Sequence, residues 1–409
     1  MSVSIAPIHR GLADAAAVHD LLDDAFDGWG SRRLFEWKYR QYPGFDPAEH
    51  CYRIESDGII GFRRVFEKDL RVDGTTHPVH VFGDTAVGAA HRGNGYYSDL
   101  REETRRYVNE VDSRATLAYN RKGGVTYDAN RRRGWDAHDL PLSLLVHSYE
   151  TVLRVYASEV LETDSILGTG LGGAGQLIEL QTPGGRFPVS AVMDGTASAD
   201  TSGVTINTEH EAITRLIECV TRGDPIEIGR SVLRHVVSGE LSIVGTPSEV
   251  SYRPLDDGVR VISATAVDTP MMDTMVDLFS LTRAGMTAFR REEPDVQHLL
   301  AYPDAEVVLV EAAGGLRGFA VVGPHENGQV HEARVLELVA PSRGIFDMLC
   351  RAIETYTSEK GFDLVVMISE IDPGPAWARI DRQAVLWNVV GKGTIKGAMP
   401  PLVRMYDVV

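Results

Sequence analysis

Residues 84–108, DTAVGAAHRGNGYYSDLREETRRYV, hold the side chains best spaced for chemistry. The chain leaves a short apolar run, passes Arg92, Gly93, Asn94 and Gly95, and enters a helical pattern at once with Tyr96 and Tyr97. Two glycines one residue apart let a backbone approach a ligand closely. The free N–H groups and positive dipole end of the helix that follows favour an anion there. Phosphate fits such a turn, and Arg92 would add a charge-assisted contact. Taken alone, the turn reads first as a tight connector whose glycines only supply positive φ. A second glycine pattern, GTGLGGAG, satisfies G-x-G-x-x-G at Gly168, Gly170 and Gly173. QLIELQTPGG follows it, a strand ending in a turn where a dinucleotide site needs an amphipathic helix, so it reads as a Gly-rich loop or linker. Cys51, Cys219 and Cys350 are scattered and odd in number, which fits neither a disulfide framework nor a zinc site, and no metal is expected.

The elements that position this turn follow from the chain as a whole. At 409 residues it exceeds the ~250–300 at which one core stops growing, so two or three domains are expected. The mix of 43% hydrophobic and 24% charged residues is that of a folded chain. A formal net charge of -17 opposes general nucleic-acid or anionic-membrane binding, both of which need a basic field. Only six lysines accompany the acidic residues, a composition shared by halophilic proteins and by acidic proteins of high-GC genomes. The start, MSVSIAPIHRGLADAA, has no basic segment leading into an apolar one, and no run approaches ~18 apolar residues. The cytoplasm is the expected compartment.

From the start, SVSIAPI reads as a strand, and Val18, Leu21, Leu22, Ala25 and Phe26 mark one face of a helix. HCYRIESDGIIGFRRVF and LRVDGTTHPVHVFGDTAV read as successive antiparallel strands, with SDG and VDG as hairpin turns. After the glycine turn, Tyr97, Leu100, Thr104, Val108 and Val111 repeat at helical spacing, and SRATLAYN returns as a strand. This order predicts an α+β layer with a mixed sheet. It then recurs: VRVISATAVDTPMMDTMVDLF echoes the opening, and AEVVLVEAAGGLRGFAVVG places Gly318 where the earlier copy has Gly61. Ile5 to Ile262 and Gly61 to Gly318 are both 257 apart and Arg92 to Arg343 is 251, the offsets of a diverged tandem copy. The expected domains are 1–147, a central α/β connecting region 148–258, and 259–409.

Residues 3–140 resemble the GNAT superfamily of N-acetyltransferases, whose Q/R-x-x-G-x-G/A turn lies between the fourth strand and the third helix. The match keeps Arg92 and the pair Gly93 and Gly95, with Ala90 or Tyr97 departing from the pattern according to register. The resemblance implies an α+β fold of tandem GNAT-like domains, each a mixed, mostly antiparallel sheet flanked by helices. It also implies acetyl-CoA as co-substrate, with its pyrophosphate wrapped by Arg92, Gly93, Asn94, Gly95, Tyr96 and Tyr97. The backbone of Thr85, Ala86 and Val87 would pair with the pantetheine arm and polarise the thioester, and Asn120 would hold the arm or a water. In the second copy the turn is APSRGIFDML, which lacks the second glycine, so a shell without its own cofactor is expected.

Direct attack by an amine needs a base, a polarised thioester and an acid for the leaving thiolate. Asp84 is the carboxylate best placed as base, with His80 second. The family's acid is a tyrosine four residues before a Gly-aromatic pair, but here that position ahead of Gly134 and Trp135 is Asn130, with Tyr127 a turn earlier. Phe35, Trp37 and Tyr39, in GWGSRRLFEWKYRQYPG, could line an acceptor pocket, though aromatics so placed are more often core. The architecture is also similar to the enhanced-intracellular-survival (Eis) type of acetyltransferase. The implied partner is a small-molecule or peptide amine, with neither nucleic acid nor membrane, and with homo-oligomerisation left open. The alternatives are transfer of another acyl or aminoacyl group, or a non-catalytic CoA-binding sensor or scaffold.

Overall fold

The computed structural model describes residues 7–12, 14–26, 28–111, 113–122, 125–147, 179–182, 185–188, 255–312, 314–327, 330–374, 377–389 and 402–408. The Gly168, Gly170 and Gly173 loop, Cys219 and most of the expected strand SVSIAPI lie outside them.

The chain opens with β1 (Ile8–Arg10), α1 (Ala15–Phe26), α2 (Arg32–Arg40) and α3 (Pro47–His50). Val18, Leu21 and Leu22 are buried on α1, the face the sequence spacing marks, and the Ser31 side chain caps α2 by accepting from Leu34 N. β2 (Cys51–Ser56), β3 (Gly58–Val72) and β4 (Thr75–Val87) follow as a meander. The charged EKD stretch does not interrupt β3, which runs straight through it, and Asp73 and Gly74 turn the chain at φ 48° and 80°. Two positive φ angles in a two-residue Asp-Gly loop give the twist a hairpin needs.

α4 (Tyr96–Glu110) crosses to β5 (Ala115–Arg121), and α5 (Val125–Arg132) leads to β6 (Asp136–Val146). β7 (Glu179–Thr182) and β8 (Gly185–Pro188) form a hairpin. The order then repeats as β9 (Val259–Ser263), α6 (Thr269–Thr282), β10 (Ala288–Phe289), α7 (Glu293–Leu300), β11 (Glu306–Ala312), β12 (Gly315–Asn327) and β13 (Val330–Val339). α8 (Arg343–Glu359), β14 (Leu364–Ile368), β15 (Ala378–Val389) and α9 (Met405–Val408) complete it. No described helix is long and apolar enough to cross a membrane.

One 13-stranded sheet holds all of this except β7 and β8, in the order β1-β2-β3-β4-β5-β15-β6-β14-β13-β12-β11-β9, with β10 against β3. The fold is α+β and the sheet mixed and mostly antiparallel, its parallel pairs being β4 with β5 and β13 with β14. Each of those pairs is joined by a crossing helix, α4 or α8. The sequence divides the chain into flanking copies, yet the sheet takes strands from both without a break. β15 lies against β5 and β6 against β14, so each copy's last strand completes the other's sheet.

The two glycines matched by the repeat serve this packing. A Cβ on Gly61 would stand 3.4 Å from Leu100 of α4, whereas one on Gly318 would stand 2.4 Å from Ile345 Cγ2 of α8 and 2.9 Å from the Val339 carbonyl oxygen. Gly318→Ala should therefore cost about 1–3 kcal/mol by overpacking. Gly344→Ala, in open space within α8, should be neutral or stabilise by up to ~1 kcal/mol. Denaturant midpoints of the two variants check this pair.

Candidate active site

The candidate site begins with an irregularity in β4. Phe62 pairs with Ala86 and Arg64 with Gly83, so Asp84 and Thr85 together face Arg63. This is a β-bulge, and Asp84 takes a φ of 45° within it. The bulge coincides with a parting of strands. β4 and β5 pair from Val79 with Ala115 to Phe82 with Ala118 and then separate, while Asn120 of β5 goes on pairing with Ala384 of β15. A wedge opens between Gly83–Val87 and the end of β5, with α4 and α5 at its sides. Ala86 and Val87 still pair with Phe62 and Gly61 on their other edge. The backbone of Thr85, Ala86 and Val87 is thus fixed from one side and free of a strand partner on the other.

The glycine turn lies at the end of that strand. Gly93 and Gly95 have φ of 84° and 87°, and nothing lies within 4 Å of where a Cβ would stand on either. Gly95 is the N-cap of α4 and no side chain caps this helix. Its first N–H groups therefore look out over an open glycine surface, which suits an anion. Arg92 Nε donates to Val87 O at 3.2 Å and Asn94 Nδ2 to His91 O at 3.2 Å, so both side chains brace the turn. Tyr97 bonds the buried guanidinium of Arg63, which stands 4.5 Å from the Phe82 ring centre. The corresponding turn before α8 is built differently: Ser342 Oγ accepts from Ile345 N at 3.4 Å and caps the helix with its own chain.

Asn120 and Tyr127 lie on the other flank of the wedge, on β5 and α5. Tyr127 is half-buried against the cluster of Ala118, Trp135, Ala384 and Leu386. Asn130, where the family pattern has tyrosine, is buried and donates to Asn120 Oδ1 at 3.3 Å, tying α5 to the strand end. Thr85 to Val87, the turn from Arg92 to Tyr97, Asn120 and Tyr127 therefore surround one wedge.

Asp84 is held in a different manner from a base. Its carboxylate accepts from Trp29 Nε1 at 3.2 Å and Tyr39 OH at 2.6 Å, and pairs with Lys38 Nζ at 3.0 Å and Arg64 at 3.2 Å. Burial opposes its charge, but Arg64, Lys38 and the Tyr39 hydroxyl outweigh that and hold the carboxyl well below the usual range. So strong an acid accepts a proton poorly, which corrects the general-base expectation for this residue. Burial, with Arg64 beside it, draws the Lys38 amine down to about 7 against the pull of Asp84.

His80 is also corrected: it is buried against Tyr107 with Ser113 Oγ at 2.8 Å from Nδ1, and burial lowers it to about 4. Phe35, Trp37 and Tyr39 do not line an open pocket. They are 2%, 2% and 0% exposed, with Phe35 stacked on Tyr39 at 4.4 Å and Trp37 on His298 at 4.3 Å. Sequence reasoning missed Trp29, Lys38, Arg63 and Arg64. The visible signal was Arg63-Arg64 at the centre of the apolar run GIIGFRRVF.

A second bulge repeats the first. Val321 pairs with Glu337 and Val322 with Val335, so β13 carries one extra residue beside Glu337. Glu337 is fully buried and pairs with Arg283 at 2.7 Å and Arg404 at 3.5 Å. Arg291 joins it to Asp407, which also pairs with Lys68 of β3 at 3.3 Å and accepts from Arg404 N at 2.9 Å. This cluster fastens α9 into the core. Among the described residues no group of His, Cys, Asp and Glu could hold a metal ion.

No family model and no curated protein matches the chain in sequence. Solved structures match it in fold. A protein from Enterococcus faecalis described as a probable N-acyltransferase aligns at TM-score 0.50 and 10% identity, over 94% of this chain and 72% of that one. Saccharomyces cerevisiae N-myristoyltransferase with bound myristoyl-CoA and inhibitors aligns at TM-score 0.55 and 11% identity, over 95% and 81%. The same enzyme with bound myristoyl-CoA gives 0.56 and 11%, over 95% and 79%. At such identity the likeness is one of fold, and the GNAT-like α+β fold is what these proteins share with this chain.

Asp84→Asn should cost about 3–5 kcal/mol at neutral pH, because it leaves Lys38 and Arg64 buried without their counter-charge. Since folding lowers the Asp84 pKa, its contribution is complete above about pH 4–5 and is lost as pH falls through the unfolded carboxylate range and below it. Lys38 is lowered too, so its burial penalises the fold below the unfolded lysine pKa and the penalty is full below about 7. Denaturation of wild type and Asp84→Asn from pH 2 to 7 should show the gap between them closing in acid.

Proposed function

We propose that the chain is an acyl-CoA-dependent N-acyltransferase that moves an acyl group, acetyl in the first instance, to a primary amine of a small molecule or peptide by direct attack. One observation carries the reading: an open strand wedge beside a β-bulge leads straight into a double positive-φ glycine turn at an uncapped helix end. The wedge suits an extended arm and the turn a pyrophosphate. The fold shared with acyltransferases, one of them carrying myristoyl-CoA, supports it.

In this reading Arg92, Gly93, Asn94, Gly95, Tyr96 and Tyr97 hold the pyrophosphate, and Thr85, Ala86 and Val87 pair with the arm and polarise the thioester oxygen. Asn120 orients the arm. As the C–N bond forms and the C–S bond breaks, Tyr127 supplies the proton to the departing thiolate, and the proton lost by the amine nitrogen passes to solvent and restores the phenol. Asp84 acts as the fixed negative charge that keeps Lys38, Tyr39 and Arg64 in place around the bulge. The second copy serves as a shell, since the capped α8 end offers no comparable anion site. One observation favours a non-catalytic CoA sensor instead: the family's acid position holds Asn130, already engaged with Asn120.

The test is release of free thiol from acetyl-, octanoyl- and myristoyl-CoA against a panel of amines and amino-terminal peptides. Amine-dependent release is expected, with acetyl-CoA the best donor and Tyr127→Phe lowering kcat about 100-fold or more while donor affinity stays unchanged. Donor binding without thiol release from any pair would reject transfer in favour of the sensor.

A further inference from the structure

A cavity of about 620 Å³ lies between the tip of the β3–β4 hairpin, the last turns of α6, β10 and the start of α7. We propose that this cavity binds a small monocarboxylate with an apolar body, gripped by Arg71, at a place separate from the candidate active site. Such a site would stand whether or not the chain transfers acyl groups.

Position separates the cavity from the wedge. Arg71 pairs with Thr76 near the hairpin tip, and from Thr76 to Gly83, where the bulge begins, β4 runs about 23 Å at the rise of an extended strand. Arg71 and Thr76 belong to the first copy of the element order, whereas Val276, Ser280 and Pro294 belong to the second. An occupant therefore touches both copies at once, beside the point where β10 adds to β3 through Ala288 with Arg71 and Phe289 with Leu70.

Charge selects the head of the ligand. Arg71, Arg283, Arg290 and Arg291 line the cavity against Glu292 and Glu293, a basic wall on a chain of net charge -17. Three of these arginines are engaged. Arg283 donates to Glu337 at 2.7 Å, Arg291 pairs with Asp407 and Glu337, and Arg290 pairs with Asp69 at 3.4 Å and with Glu292. Arg71 is exposed and has no hydrogen bond, ion pair or ring contact among the described residues. One free guanidinium matches one carboxylate, which it can hold through two parallel N–H bonds. Glu293 accepts from the neutral Gln297 Nε2 at 2.9 Å and keeps its full negative charge on the same wall, which disfavours a dianion.

The remaining wall selects the body. Val276, Phe279 and Ser280 share the face of α6 that leads to Arg283, and Phe289 of β10 and Pro294 of α7 extend the apolar surface. An apolar pocket with one uncommitted cation is the pattern of a small-molecule site, and this volume lies within the range of such sites.

The test is calorimetric titration of the full chain with octanoate, octylamine and inorganic phosphate, in wild type, Arg71→Glu and Ser280→Trp. Arg71 and Ser280 are both exposed, so neither substitution enters the core, and thermal unfolding without ligand checks that each variant folds. Octanoate is expected to bind wild type at one site, with octylamine and phosphate weaker by about 10-fold or more, since one carries the wrong charge and the other no apolar body. Arg71→Glu should weaken octanoate by about 10-fold or more by setting a like charge against it, and Ser280→Trp should abolish binding by filling the cavity. Octanoate that binds both variants as it binds wild type sits elsewhere, and that result overturns the assignment. Phosphate or octylamine binding as tightly as octanoate overturns the ligand class, and wild type that binds no octanoate overturns the site.

Discussion

Asp84 and Thr85 set two residues of β4 against one of β3, and the carboxylate of Asp84 is what keeps that mismatch in place. A non-glycine residue at positive φ is costly, and so is a buried carboxylate. Both persist because Lys38, Arg64, Tyr39 and Trp29 converge on that carboxylate from α2, β3 and the loop before α2. Gly83 is part of the same arrangement, since a Cβ there would come within 3.1 Å of the Arg64 guanidinium. The bulge ends the pairing of β4 with β5, the strands part, and the wedge appears.

The two copies of the element order share this device but use it differently. Glu337 stands at the second bulge as Asp84 does at the first, and arginines hold both. In the second copy the cluster reaches Asp407 and Arg404 and anchors α9, and the helix beyond the bulge is capped by Ser342. In the first, the helix end is left open over Gly93 and Gly95. One copy uses its bulge to hold α9 and the other leaves it beside the open glycine turn. The exchanged strands β6 and β15 join them into a single sheet, so β5, one wall of the first copy's wedge, is backed by β15 of the second.

Much of this was legible in the sequence. Hairpin turns at Asp57-Gly58 and Asp73-Gly74, the helical spacing of α1 and α4, the glycine turn into α4 and the near-constant offset between copies all depend on neighbouring residues, which a sequence displays directly. What it hid depends on distant ones. Trp37 donates to His298 O at 2.7 Å across 261 residues, and that contact helps turn a plausible acceptor-pocket aromatic into core. The convergence of Lys38 and Arg64 on Asp84 is invisible for the same reason, and with it the change of Asp84 from base to anchor. The exchange of β6 and β15 could not be read either, because both strands have ordinary strand patterns and only the assembled sheet shows which neighbour each one takes.

The central claim is that the open glycine turn of the first copy, and not the capped turn of the second, receives the donor. Calorimetric titration with acetyl-CoA of wild type, Gly95→Glu and Gly344→Glu tests it most directly, since both glycines are exposed and each substitution places a carboxylate at one of the two helix ends. The account predicts one site per chain, lost in Gly95→Glu and retained in Gly344→Glu. Binding that survives Gly95→Glu, or two sites per chain in wild type, would contradict it.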